Sequence, residues 1–473
     1  MKKTLSFILL SAVASLLCHA TEPSPAALLR DSMPETWILE TRYSQTTPTE
    51  DSWWTSFHDP VLERLVSTAV SNNFDVRAAQ RRIEVAAQVS RATKAGYYPT
   101  LGISAGWDDY NTATTVHGSH AHETNTDYFQ LGLTMTWEID VFGRIRAQSK
   151  ADKASYEASI ADYDATLVSL CSNVAKAYFQ LRLSQAEIAV AESNIANAEY
   201  QEKLAKARYE VGLRPAIDVL QAGMSVAQTK ATLPPLRADV SSAINRIALL
   251  LAVYPDKLEY LREYAPLPVT PEPGIQASPQ SLLCRRPDIV AAEKQLAATA
   301  AQIGIAKKDF LPTLSLTASA GTQSGKLTEL FGKDSYYYRI TPTLSWTIFD
   351  GMARNARLAE ARLQMEAQIE SYNLSVMTAV SEVNDAMISW QSLTEQLEYR
   401  RQLQRDAERQ LKLEIDRYTQ GLIEFSDVAN AQTTLLQAEN TLVQTQAARL
   451  AALVTLYTAL GGGYQTVTNN ESL

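Results

Sequence analysis

The chain repeats itself. Arg208-Tyr209, Gly212-Leu213, Asp218-Val219 and Ala222 recur as Arg417-Tyr418, Gly421-Leu422, Asp427-Val428 and Ala431, each 209 residues later. Trp137 and Ile139 match Trp346 and Ile348 at the same offset. Upstream the offset becomes 213: Asp75, Ala78, Ala79, Ala87, Lys94 and Pro99-Thr100-Leu101 match Asp288, Ala291, Ala292, Ala300, Lys307 and Pro312-Thr313-Leu314. A four-residue change of offset fits one loop of different length. Self-similarity over so long a period means one structural unit used twice. Length alone would have suggested several unrelated domains.

The seam between the units is marked by proline. Pro255, Pro266, Pro268, Pro271, Pro273, Pro279 and Pro287 are seven of the eighteen prolines in the chain, which signals an extended connector. The expected organisation is a signal segment at 1–20, an extended N-terminal segment at 21–59 and a first repeat at 60–253. A connector at 254–286, a second repeat at 287–462 and a tail at 463–473 complete it. Lys2 and Lys3 followed by the apolar Leu5 to Leu17 read as an export signal. Cleavage after Ala20 leaves Thr21 first; the alternative is a lipidated Cys18, although Leu17 is larger than the residue that usually precedes such a cysteine.

Beyond residue 20 no apolar run of about 18 residues exists to form a transmembrane helix. A membrane span, if there is one, must be built from strands closed into a barrel. The formal charge of −9 argues against nucleic acid as a partner. Cys171 and Cys284 are too few for a disulfide scaffold and read by default as small buried thiols. Both sit about 28 residues from the strands, so a disulfide between them is the alternative.

Each unit reads as helix, strand, loop, strand, long helix, turn, helix. The first helix is expected from about Pro60 to Tyr98, ending before Pro99. Leu101, Ile103, Ala105 and Trp107 alternate, as do Phe129, Leu131, Leu133, Met135 and Trp137. Leu314, Leu316, Ala318 and Ala320, then Tyr338, Ile340, Leu344 and Trp346, repeat the pattern. Strands of about 10 residues suit a bilayer crossing, and Trp107, Phe129, Trp137, Tyr336, Tyr338 and Trp346 are expected near strand ends, at its interfaces. The plainer alternative is ordinary hairpins packed on a soluble core; four strands cannot close a barrel alone and could do so only by pooling strands from several chains. Residues 144–209 contain neither Pro nor Gly and predict a helix about 100 Å long. The returning helix carries a seven-residue beat: Val219, Val226, Leu233, Val240 and Ile247, matched by Val428, Leu435, Leu442, Arg449 and Leu456. Such a seam asks for a partner helix, and the preceding long helix is the nearest. Pro234-Pro235, which faces Val443-Gln444 in the copy, predicts a break in the first returning helix only.

Three features together resemble the TolC-like outer-membrane efflux proteins, closest to the OprM/NodT branch. They are "WWTSFHDPVLERLV" at Trp53 to Val66, "LLCRRPDIVAAEKQLAATAAQIGIAKKDFLPTLSL" from Leu282, and the two copies of Arg-Tyr-x-x-Gly-Leu followed by Asp-Val. The resemblance spans roughly residues 50 to 462. It implies a mostly α protein with a membrane β-barrel: a trimeric 12-stranded barrel continued by a 12-helix periplasmic α-barrel, with a tandem-duplicated protomer. It further implies a homotrimer in the outer membrane, in contact with its lipid, docked to a periplasmic adaptor (a membrane fusion protein) and an inner-membrane RND-type pump. The duct would pass small toxic compounds passively.

The resemblance also assigns residues. Gly212, Leu213, Gly421 and Leu422 would form docking turns at the periplasmic tip, although helix capping alone accounts for the glycines. Asp218 and Asp427 match tip acids; ringed around a narrow axis they would select for cations, while singly each is a favourable N-terminal helix acid. Tyr418 and Asp218 match residues that hold the tip closed, and Tyr209 is the counterpart of Tyr418. The arginine that assists in some relatives is Ile423 here, with Arg214 in the other copy as its candidate substitute.

His117, His120 and His122 share one loop and are weak metal candidates beside the plainer reading of a solvated loop. No catalytic constellation, cofactor motif or zinc spacing is visible, so an enzyme is not expected. A type I secretion duct or a metal efflux duct is the alternative function. A periplasmic coiled-coil adaptor is a further one, but needs only one hairpin and no amphipathic strands. Intact-mass measurement of the exported protein separates the two N-termini: a start at Thr21, or an acylated Cys18.

Overall fold

The longest elements decide the shape. In the computed structural model, which describes Trp37 and residues 52–114, 122–271, 279–281 and 285–462, two helices of 67 and 68 residues run the length of the protein. At 1.5 Å per residue each spans about 100 Å. The order begins with α1 (Pro60–Asn72), α2 (Phe74–Ala95), β1 (Thr100–Thr114), β2 (His122–Ile139), α3 (Arg144–Glu210), α4 (Ala216–Lys230) and α5 (Leu233–Leu250). It continues with α6 (Pro287–Lys308), β3 (Thr313–Ser324), β4 (Tyr336–Ser345), α7 (Ala353–Gln420) and α8 (Phe425–Ala459). The second series repeats the first. No helix among the described residues is long and apolar enough to cross a membrane.

The strands form one antiparallel sheet in the order β1-β2-β3-β4. Among the described residues, its outer strands each leave one edge without a partner. Trp137 donates its indole N–H to the Tyr97 carbonyl at 2.9 Å, and Trp346 donates to the Phe310 carbonyl at 3.0 Å. The same bond thus recurs in both units where helix meets sheet. Eight residues along β2 from Trp137, Phe129 pairs with Trp107 and lies level with the outer end of β3. At about 3.3 Å per residue the two aromatic levels are about 26 Å apart along the strand, a height of about 20 Å for a strand tilted by about 40°.

Below the sheet the helices form a row: α7 packs on α8, α8 on α3, and α3 on α4 and α5. The main core lies partway down, where α1, α5 and the connector cover α3, α7 and α8. Trp53 stacks on Tyr457 at 5.6 Å and Phe57 packs on Phe179 at 5.2 Å. The Asp59 carboxylate caps α1 by accepting from the Val61 N–H at 2.9 Å and also accepts from the Tyr178 hydroxyl at 2.6 Å. The seven-residue seams are buried as expected at Val226, Val240, Ile247, Val428, Leu435 and Leu456. Arg449, the odd member, lays its guanidinium over the Trp390 ring at 4.4 Å. The predicted break is present: α4 ends at Lys230 and α5 opens with the prolines in its first turn, while α8 runs 35 residues without interruption.

Three expectations are corrected. The first helix is two helices, parted at Asn73. Its side chain accepts from the Asp75 and Val76 N–H groups at 2.8 and 3.2 Å and donates to the Leu250 carbonyl at 2.9 Å. Apolar periodicity is blind to such a cap. The first hairpin is longer than 10 residues a strand, at 15 and 18, against 12 and 10 in the second. Polar residues continue the ladder beyond the apolar alternation. Trp107 and its partner Phe129 therefore lie mid-strand rather than at strand ends. Cys171 is a free, buried thiol, as the default reading has it, with its pKa pushed up to about 12 by burial; only the disulfide alternative fails, and Cys284 and Cys18 lie outside the described residues.

Burial also pushes the Asp164 carboxyl on α3 up to about 6. In the unfolded chain it titrates near about 4, so the folded state keeps its proton to higher pH. Stability from this group therefore falls as pH rises from about 4 to about 6, and above that window the deficit is constant, about 2–3 kcal/mol. Asp164→Asn should raise the melting temperature at pH 8 and leave it unchanged at pH 4. Asn73→Ala should cost about 1–2 kcal/mol through the lost cap and the orphaned Leu250 carbonyl, read from denaturant unfolding.

Candidate functional site: the helical tip

The far end of the helices is made by two tight turns. Gly212 and Gly421 take left-handed φ angles of 75° and 80°. Behind them the Leu213 N–H bonds the Arg208 carbonyl at 2.9 Å, and the Leu422 N–H bonds the Arg417 carbonyl at 3.0 Å. This six-to-one bond closes a helix with glycine at its left-handed position. A Cβ on either glycine would meet open space, so φ alone demands glycine. Leu213 and Leu422 are both exposed.

Between the turns the two hairpins are tied together. Tyr418, at the end of α7, is buried to 1% exposure. Its hydroxyl donates to Asp218 on α4 at 3.0 Å, and its ring stands edge-on to Phe425 at 5.7 Å. The Arg214 guanidinium lies over the ring at 4.7 Å, with that of Arg208 at 5.6 Å. Arg208 donates to the Tyr418 carbonyl at 3.0 Å and to the Thr419 carbonyl. Arg214 donates to the Ile423 carbonyl and sits 4.0 Å from the Asp218 carboxylate. Burial, then the neighbouring Asp218, push the Tyr418 phenol up to about 12, so it stays a hydrogen-bond donor throughout the neutral range. Chemically this is a clamp: a desolvated phenol–carboxylate bond between hairpins, held from above and beside by two cations.

The duplication does not extend to these environments. Tyr209 is half exposed, whereas Tyr418 is enclosed. Asp218 is buried and accepts from Tyr418, whereas Asp427 is exposed. Arg214 does reach the neighbourhood of Ile423, where the arginine of some relatives would sit. Sequence reasoning missed Arg208 and Phe425. Arg208 stood in the repeated Arg-Tyr motif, but its copy Arg417 pairs outward with Glu414 instead. Phe425 faces Ala216 in the other unit and left no repeat signal. His117 and His120 lie outside the described residues and His122 opens β2. Among the described residues no group of side chains is arranged to hold a metal.

A long helical row with an amphipathic sheet at one end and a clamped tip at the other is the plan of an outer-membrane channel protein. The family of Outer membrane efflux proteins matches residues 65–253 and 278–462, and the chain belongs to it. It is 32% identical over 417 residues to the "Solvent efflux pump outer membrane protein SrpC" of Pseudomonas putida, covering 87% of each chain. It is 29% identical over 426 residues to the "Cation efflux system protein CusC" of Escherichia coli strain K12, covering 87% of this chain and 88% of that one. The solved outer-membrane channel OprN superposes with a TM-score of 0.85 at 29% identity, covering 94% of this chain and 98% of the other.

In planar bilayers, Tyr418→Phe combined with Asp218→Ala should raise single-channel conductance, since removing a buried hydrogen bond is worth about 1–3 kcal/mol. Unchanged conductance would remove the clamp role. Asp427→Asn should weaken block by multivalent cations if these carboxylates ring the entrance; an unaltered block constant counts against that.

Proposed function

We propose that the protein is the exit duct of a tripartite efflux pump. It sits in the outer membrane with a long periplasmic extension and conducts small toxic compounds outward without catalysing a reaction. An adaptor docks at the turns around Gly212-Leu213 and Gly421-Leu422, and an inner-membrane RND-type transporter supplies the energy and chooses the cargo. A clamp at the tip keeps the duct shut until the adaptor engages. Cation efflux, named for CusC, is the second reading; the solvent pump component SrpC is the more identical of the two relatives.

The observation that carries the reading is incompleteness. The sheet ends in two open strand edges, and open edges are untenable in a bilayer. The helix row ends in two open apolar faces. On α7 the buried face holds Val383, Trp390 and Leu397, and on the opposite side Met377, Ile388 and Tyr399 are exposed at intervals of eleven. At the other end of the row, Ile217, Leu220 and Met224 of α4 are exposed opposite buried Ala222 and Val226. Three copies joined head to tail would pair every edge, give twelve strands and cover both faces.

Ile388→Glu changes a side chain that is exposed in the single copy, so the protomer should fold while the trimer is lost, read by light scattering in detergent. A deletion strain should become sensitive to apolar toxicants, with metal-cation salts in the same panel. Sensitivity to the metals alone would favour the cation reading, and no change with any compound would count against efflux.

A further inference from the structure

A second contact joins the hairpins above the clamp, and it is polar where a seam of long helices is normally apolar. Gln201 on α3 donates to the Gln432 carbonyl oxygen on α8 at 2.9 Å. Gln432 in turn donates to Asn194 on α3 at 2.6 Å. Asn194 donates to the Glu439 carboxylate on α8 at 2.6 Å and to the Val190 carbonyl at 2.9 Å. Asn194, Gln201 and Gln432 are each at most 3% exposed. Asn194 and Gln201 lie roughly 24 and 14 Å up α3 from its end. The bonds therefore cross from hairpin to hairpin three times along about 10 Å.

Buried amides in a helical seam fix register, because a slip leaves each donor without a partner. Here the seam is the α3–α8 contact, and widening the tip must part α3 from α8. We propose that the ladder Gln201–Gln432–Asn194, ended by Glu439, is a second closing contact of the tip, which tightens on acidification.

The direction follows from what surrounds Glu439. Burial raises its pKa; the Asn194 bond opposes this and the neighbouring charge of Glu408 on α7 adds to it, with a net rise. From α3 it meets the neutral Asn194, and the nearest charged residues along α8 are Asp427 and Arg449. Parting the helices returns Glu439 to water and to an ordinary carboxylate pKa. The closed arrangement therefore holds the extra proton. Its advantage is present at low pH and is lost as pH rises through the raised Glu439 value.

The proposal rests on the duct reading, and one experiment separates their failures. The full-length protein is reconstituted in planar bilayers and its opening recorded from pH 7.5 to pH 5. Wild type should open several-fold less at the acidic end. Glu439→Gln, which keeps an acceptor for Asn194 but no titrating charge, should open rarely at every pH. Gln432→Leu should open several-fold more at every pH, and Gln201→Met should do so to a smaller degree. A Glu439→Gln profile that still follows pH like wild type overturns the proposal, as do glutamine variants that form trimers and open like wild type. A wild type that never conducts overturns the duct reading and the ladder's role together.

Discussion

An amide at the edge of a sheet must find a partner, and in hydrocarbon there is no water to provide one. That constraint governs the molecule. Among the described residues one chain supplies four strands and leaves two edges open, so in the proposed duct the membrane segment is a structure shared between copies. β4 leads within a few residues into α7. In the proposed trimer, the copy that pairs that edge would be led down along the open face of α7. In that trimer, closure of the sheet and closure of the helical row would be one requirement, met by the same neighbour.

Much of this was legible in the sequence because it depends on period and punctuation. The 209-residue offset fixed the repeated order of elements, the proline-free stretch gave the 67-residue α3, and Pro234-Pro235 located the break between α4 and α5. What escaped depends on individual side chains meeting across the fold. Asn73 ends one helix and begins another with a single amide group, which no apolar pattern reports. The outer halves of the first hairpin are polar strands, and alternation fails where neither face needs to be apolar. Of the tip, Tyr418, Asp218 and Arg214 could be named from the resemblance. Arg208 could not, because its copy Arg417 makes a different, outward ion pair.

The two units show how duplication yields difference without loss of plan. Their turns are the same to within a few degrees at Gly212 and Gly421. Yet Tyr418 is enclosed and Tyr209 is not, and Asp218 is engaged while Asp427 is free. The distinction comes from position in the row. The end of α7 and the start of α4 converge within one chain, whereas the counterpart residues face outward, where solvent or another copy lies. A repeated motif thus supplies a holding contact in one copy and an accessible surface in the other.

The two beats on α7 have a mechanical consequence. Apolar residues every seven wind a helix to the left about its partner, and residues every eleven wind it to the right. One heptad is two turns and one eleven-residue interval is three, so the pair average about 18 residues in five turns, or 3.6, which is the pitch of an unstrained α-helix. A helix bound on one side by sevens and on the other by elevens has no reason to coil in either sense. With another copy seated on the exposed face, as proposed, it would behave as a stave in a cask, its two neighbours pulling in opposite directions. In the proposed trimer, a wall of such staves would hold a bore open over its length, leaving narrowing to the end where the hairpins are tied.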